Sequence, residues 1–124
     1  MKLKEILNIE KAVMNLGNVL LPTPEENRRV YKLIKVTKQE VENYDLQINK
    51  IVQKYGQQAE NGSKYIPKNS PNLDIALKEI SALESMEIDI EFKPIKINFD
   101  SLGLCAADAY NLEKAKIIEL KEGE

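Results

Sequence analysis

Histidine and tryptophan are absent from the 124 residues, and cysteine occurs once, as Cys105. Without imidazole there is no Ser-His-Asp or Cys-His nucleophile system. Zinc sites that need imidazole are excluded as well, and one thiol builds neither a cysteine-only metal site nor an internal disulfide. A secreted disulfide scaffold is therefore excluded, and a reducing cytoplasm fits. Glycine is sparse too: Gly17, Gly56, Gly62, Gly103 and Gly123 make neither GxGxxG nor GxxxxGK[ST], so no phosphate loop is present. No apolar run approaches the roughly 20 residues that cross a bilayer. Glu5, Asn8 and Glu10 interrupt the first apolar positions, so we expect no secretory leader there. Nothing in the composition implies a cofactor.

What is present is a balanced, strongly charged chain. Hydrophobic residues make up 43% and charged residues 31%, with 18 Lys and Arg against 20 Asp and Glu, for a net charge of −2. That composition suits one folded domain, 1–124, rather than a disordered segment. The pI near 5.4 disfavours a strongly basic nucleic-acid binder. The charge is uneven along the chain. Residues 1–64 hold 11 basic and 8 acidic residues, and residues 65–124 hold 7 and 12.

Hydrophobic spacing predicts a first helix over about 4–16, with Ile6, Ile9, Val13 and Leu16 on one face. Asn8 offers a later N-cap, and Gly17 suits a left-handed stop. The start of the second helix is clearer. Thr23-Pro24-Glu25-Glu26 sets a hydroxyl at the N-cap, proline at the first helical position and a carboxylate at the third, a capping box. No proline or glycine then appears before Gly56. Val30, Ile34, Thr37, Val41, Tyr44, Ile48, Ile51 and Tyr55 recur in steps of four and three, which is a heptad seam. A helix over about 24–55 is roughly 48 Å long at about 1.5 Å per residue. A compact chain of this size has a radius of gyration near 14 Å. Such a rod must bend, pair within its own chain as a long antiparallel hairpin, or pair with another chain.

Residues 57–72, with Asn61-Gly62, Pro67 and Pro71, read as a loop, with Lys64-Tyr65-Ile66 as a possible short strand. A helix over about 73–85 follows, capped by Ser70 or Asn72, with Leu73, Ala76, Leu77, Ile80 and Leu83 as its apolar stripe. The period then becomes two. Met86, Ile88, Ile90 and Phe92 alternate with Glu87, Asp89, Glu91 and Lys93, predicting a strand over about 86–92. A second strand over about 95–99 follows Pro94. A last helix over about 101–118, capped by Asp100 or Ser101, buries Leu102, Cys105, Ala109 and Leu112 and continues into Ile117 and Ile118. The expected class is α+β, mostly α: a long helical hairpin or bundle with a small two- or three-stranded β element.

Three sets of residues are candidates for function. Val30, Ile34, Val41, Tyr44, Ile48, Ile51 and Tyr55 form the seam, for packing or for an oligomer. Arg28, Arg29, Lys32 and Lys35, with Lys38 nearby, form a basic helix face that suits an acidic partner or a phosphate backbone. Its alternative is a plain solvated face tied by Glu25–Arg29 at i,i+4. Glu87, Asp89 and Glu91 form an acidic face. Side chains at i,i+2 on a strand lie roughly 7 Å apart, too far for one small cation without other ligands. We therefore expect a charged face that protects a strand edge, and no metal. Tyr44 and Tyr55 belong to the seam, with hydroxyls at its rim. Cys105 reads as packing. No reactive constellation emerges, so no enzyme is expected.

The order of features resembles a group of small proteins of phages and prophages. The shared elements are a short N-terminal helix, Leu20-Leu21-Pro22 before a long charged helix ending Lys54-Tyr55-Gly56, a polar Asn-Gly loop, Ala76–Ile80 (Ala-Leu-Lys-Glu-Ile), an acidic-apolar stretch at Met86–Phe92, and Pro94-Ile95 leading to Leu104–Asp108. Its final helix motif, Ala-Asp-Leu-x-x-Leu-Glu, is matched in outline by Ala107-Asp108-Ala109-Tyr110-Asn111-Leu112-Glu113. The resemblance carries no catalytic residues. It implies phage origin and action in the infected bacterial cytoplasm or with the virion. The expected partners are a second copy and another phage or host protein, with no membrane. Virion or tail assembly leads. Inhibition of a host defence protein through the acidic face, and nucleic-acid binding through the basic face, are the alternatives, the last disfavoured by the pI.

Overall fold

The computed structural model describes residues 1–90, 92–98 and 103–121, the last by its backbone. It is α+β and mostly helical. Its elements are α1 (Leu3–Leu16), α2 (Pro24–Tyr55), β1 (Gln57–Gln58), β2 (Lys64–Tyr65), α3 (Leu73–Glu84), β3 (Ile95–Asn98), α4 (Ala106–Lys114) and β4 (Ile118–Lys121).

The first helix is central. Leu3, Ile6, Ile9, Ala12, Val13 and Leu16 are all buried, and α1 packs on α2, α4 and α3. The helix begins at Leu3, well before Asn8. Gly17 follows it, but with φ −63° rather than in the left-handed region. Glycine leaves room for Ile34 there: a Cβ would fall 2.5 Å from Ile34 Cδ1, which would have to swing aside, and 3.2 Å from the Met14 carbonyl.

The turn into α2 is held by side chains. Thr23 Oγ1 accepts from the Glu26 amide at 3.2 Å and donates to Glu26 Oε1 at 2.8 Å, so the capping box closes through the hydroxyl. Asn27 folds back over the turn. Its Oδ1 accepts from the Leu21 amide (3.1 Å), and its Nδ2 lies 3.0 Å from the carbonyls of both Leu21 and Thr23. Leu21 is thereby seated in the core.

What α2 meets is a series of short elements rather than one rod of its own length. Its N-terminal half lies on α1, through Val30 and Leu33. Its C-terminal half meets α3. Tyr44 bonds Glu84 and Tyr55 bonds Glu79, so the two helices run in opposite senses there. Gly56 ends α2 beneath β2, where a Cβ would meet the Val52 carbonyl and lie 2.9 Å from the Tyr65 carbonyl. Gln57–Gln58 then pairs antiparallel with Lys64–Tyr65 across the Asn61-Gly62 turn, and Gly62 takes φ +87°. Residues 57–72 are thus a loop that carries a two-residue hairpin. In α3, Ala76 is buried, but Leu77, expected in the stripe, is 52% exposed. The short helix packs mainly on α2 and, over a smaller area, on α1.

Three expectations after α3 are corrected. The described residues of 86–92 form no strand. It pairs with the chain start through one bridge, Lys2↔Glu87, and through bonds from Leu3 N to Met86 O and Ile88 N to Met1 O. Its partner enters α1 at Leu3, so the ladder has nothing to extend along. The helix predicted over 101–118 is shorter, and Ile117, Ile118 and Leu120 leave it to form β4 with its preceding turn. The stop is a Schellman motif: Lys116 N donates to Glu113 O, Ile117 N donates to Leu112 O, and Lys116 takes φ +61°. Ile117 and Leu112, the apolar pair of that motif, are both buried. A lysine fills the position that glycine usually takes, and this hid the stop. Cys105 is the N-cap of α4 and is exposed, not packed. The expected caps Asp100 and Ser101, with Phe99 and Leu102, lie outside the described residues.

The C-terminal unit is β3–α4–β4, with the strands parallel and α4 as their crossover. Ile95, Ile97 and Ile118 turn inward onto Ile9, Val13, Leu16, Leu112 and Ile117, while Lys96 and Glu119 face solvent. Asn15 Nδ2 reaches Asp108 Oδ2 at 2.6 Å, which fastens α1 to α4. The described fold is one core, in which the first helix is enclosed by the last elements of the chain.

Candidate interaction surface

The seam of α2 is satisfied within the chain. Val30, Thr37 and Ile51 are buried, and Ile34, Val41, Tyr44, Ile48 and Tyr55 are half-buried. The two tyrosines sit as expected, rings inward and hydroxyls at the rim, donating to Glu84 Oε1 (2.9 Å) and Glu79 Oε1 (2.8 Å). Partial burial, then the bond to the Glu84 carboxylate, raises the Tyr44 phenol above its ordinary value. Lys54 lies 4.9 Å from the Tyr55 ring centroid and 3.5 Å from Glu79 Oε1. Its ammonium is held above the usual value, first by Tyr55 and then by Glu79.

Thr37 breaks the pattern. It is 1% exposed, and its hydroxyl has no hydrogen-bond partner among the described residues. It lines a cavity of about 90 Å³ with Ile9, Leu33, Ile90, Phe92 and Ile117. The seam spacing placed Thr37 in the core but did not show that its hydroxyl would be stranded there.

The basic face divides in two. Arg29 is tied to Glu25 at 2.7 Å, the predicted i,i+4 pair, and contributes to the helix surface. Arg28, Lys32, Lys35 and Lys38 are exposed and engage no carboxylate among the described residues. Between them stands Tyr31, 63% exposed. At one helical turn from Arg28 and from Lys35 it shares their face. Tyr31 is not among the residues that the sequence pattern singled out. Its signal was its register with Arg28, Lys32 and Lys35.

The acidic face is not brought together in the described residues. Glu87 is exposed and holds the Met1 amino group at 3.2 Å. Asp89 is exposed. Glu91 lies outside the described residues. No group of three or more Asp, Glu, His or Cys among the described residues is arranged to hold a metal.

No known protein family, characterised protein or solved structure matches the chain. The site must therefore be read from its chemistry. Arg28, Tyr31, Lys32 and Lys35 form a convex patch on a rigid helix, with guanidinium, phenol and ammonium groups directed outward. A convex patch does not enclose a small molecule, whereas Tyr and Arg on a rigid face are the residue types that anchor protein interfaces. No described helix is long and apolar enough to cross a membrane.

Proposed function

We propose that the chain is a non-enzymatic protein–protein interaction protein of a phage or prophage. It acts as an oligomer in virion or tail assembly in the infected bacterial cytoplasm, and its α2 face binds an acidic surface of a partner protein. The observation that carries this reading is the patch Arg28, Tyr31, Lys32 and Lys35: exposed, on one helical face, and with its cations unneutralised within the described chain. The feature order shared with the phage proteins supports the origin. The balanced charge supports a protein partner over nucleic acid, since nucleic-acid binders carry a basic excess over the whole domain.

The test compares wild type with R28E/K32E/K35E as immobilised bait in extract of phage-infected cells. Retained proteins are identified by mass spectrometry, and binding is then repeated with the purified partner. The expected result is an acidic phage protein that binds wild type and loses at least tenfold in affinity for the variant, with circular dichroism unchanged. Equal binding by the folded variant refutes the face. Loss with a steep salt slope on added DNA instead would favour the nucleic-acid reading.

A further inference from the structure

The side of α2 that faces away from its seam is charged in two blocks. Residues 28–38 hold five cations and no carboxylate, and residues 39–46 hold three carboxylates and no cation. At about 3.6 residues per turn, Arg28, Tyr31, Lys35, Glu42, Leu46 and Asn49 all fall within about 30° of one line along the helix. That line lies opposite the buried Val30, Thr37 and Ile51. All six residues are exposed. Two of them carry large apolar surface, Tyr31 at 63% and Leu46 at 58% exposure. Arg28, Lys32, Lys35 and Lys38 stand at i,i+3 and i,i+4 from one another, where like charges repel. The side chains of Lys32, Lys35, Glu42 and Asp45 make no ion pair or hydrogen bond among the described residues.

We infer that this face pairs with the same face of a second copy, the two α2 helices running antiparallel about a two-fold axis between Lys38 and Gln39. The order of the charges selects the occupant. An antiparallel copy lays the acidic block of one helix over the basic block of the other, and does so twice. A parallel pair would set Arg28 on Arg28 and Lys35 on Lys35. The apolar pair selects the register. With the axis between positions 38 and 39, Lys35 stands opposite Glu42 of the second copy, Arg28 stands opposite Asn49, and exposed Tyr31 shares a layer with exposed Leu46. Moving the axis to Glu40 would set Lys35 opposite Asp45. It would also set Tyr31 opposite Asn49, and Leu46 opposite Ile34, which packs into the core. From Arg28 to Asn49 the shared length is about 33 Å. This inference rests on the proposed function in one respect: it names the oligomer of that reading and makes it a regulator of the same face. A second copy and the acidic partner protein compete for Arg28, Tyr31 and Lys35, so the partner binds the monomer.

The test is light scattering after size exclusion across a dilution series, at low and high salt. Wild type should form a reversible dimer that weakens as salt rises. Lys35→Glu and Glu42→Lys should each weaken it at least tenfold with circular dichroism unchanged, since both sites are exposed. Lys35→Glu combined with Glu42→Lys should restore it, because the exchanged charges meet again across the axis. Lys35→Glu combined with Asp45→Lys should restore nothing. Leu46→Ser should also weaken the dimer. A monomer at every concentration overturns the inference. So does a dimer indifferent to the single charge reversals, or a rescue by the Asp45 combination in place of the Glu42 one. An assembly larger than two copies overturns it as well, because an isologous two-fold contact closes at two. Glu42→Lys keeps Arg28, Tyr31, Lys32 and Lys35, so as bait it should retain the acidic phage protein at least as well as wild type. Partner capture by a chain that never dimerises would leave the proposed function standing and overturn this inference. A dimer that passes these tests while no partner is captured would do the reverse.

Discussion

Replacing Thr37 by valine should make the protein more stable. The side chain is 1% exposed, its hydroxyl is without a partner, and the cavity it lines is walled mainly by apolar residues. A buried hydroxyl left without a hydrogen bond costs about 1–3 kcal/mol relative to its hydrated state. Valine keeps the shape and the β-branch, has a similar helix propensity and removes that cost. Unfolding entropy near 2.1 cal/mol/K per residue gives about 0.26 kcal/mol/K for the 124 residues. The gain then corresponds to a rise in Tm of about 4–12 °C. Thermal unfolding followed by circular dichroism reads it directly. Thr37→Ser is the companion variant: it keeps the hydroxyl, loses a buried methyl and should lower Tm. A Tm for Thr37→Val equal to or below wild type would refute the reasoning. It would mean that the hydroxyl is satisfied in solution, by water in the cavity or by a rotation onto its own helix.

Two more predictions follow from the turn and from the α2–α3 contact. Asn27→Ala removes three hydrogen bonds that hold Leu21 and Thr23 in place, and at about 0.5–1.5 kcal/mol each it should cost about 1.5–4.5 kcal/mol in urea unfolding; a loss below about 0.5 kcal/mol would show that the turn holds without the clamp. The Tyr44 phenol is raised in the folded state, so its contribution is fully present below the ordinary phenol value near 10 and is lost as pH climbs through the folded value. Stability should therefore fall on the alkaline side of about pH 10, and Tyr44→Phe should make that fall shallower; an identical slope in the variant would sink the argument.

The helices were legible where local chemistry and periodicity agreed. Thr23-Pro24-Glu25-Glu26 and the uninterrupted heptad steps define α2 to the residue at both ends, because cap, propensity and apolar spacing all point one way. The strands were less legible. Met86–Phe92 alternates as a strand should, yet alternation reports only which side chains turn inward, and a ladder needs a partner of matching length. Lys2, one residue before α1, cannot supply it. The end of α4 was hidden because its left-handed residue is Lys116, with no glycine to announce it. For the surface, the charged set on α2 was visible but its division was not. Arg29 is spent on Glu25, and exposed Tyr31 takes its place among the free cations. Which charges are spent depends on rotamers and neighbours that spacing alone does not carry.

The position of α1 has a consequence for synthesis on the ribosome. This helix emerges before the residues on which its buried face rests, Ile95, Ile97, Leu112, Ile117 and Ile118. At about 5–20 residues per second, the roughly 100 residues between them take about 5–20 s to emerge. Through that interval the nascent helix presents Ile9, Val13 and Leu16 without the strands that will cover them. Contacts this distant along the chain also pay their loop-closure entropy before they return anything. Closure of this core therefore waits for β4.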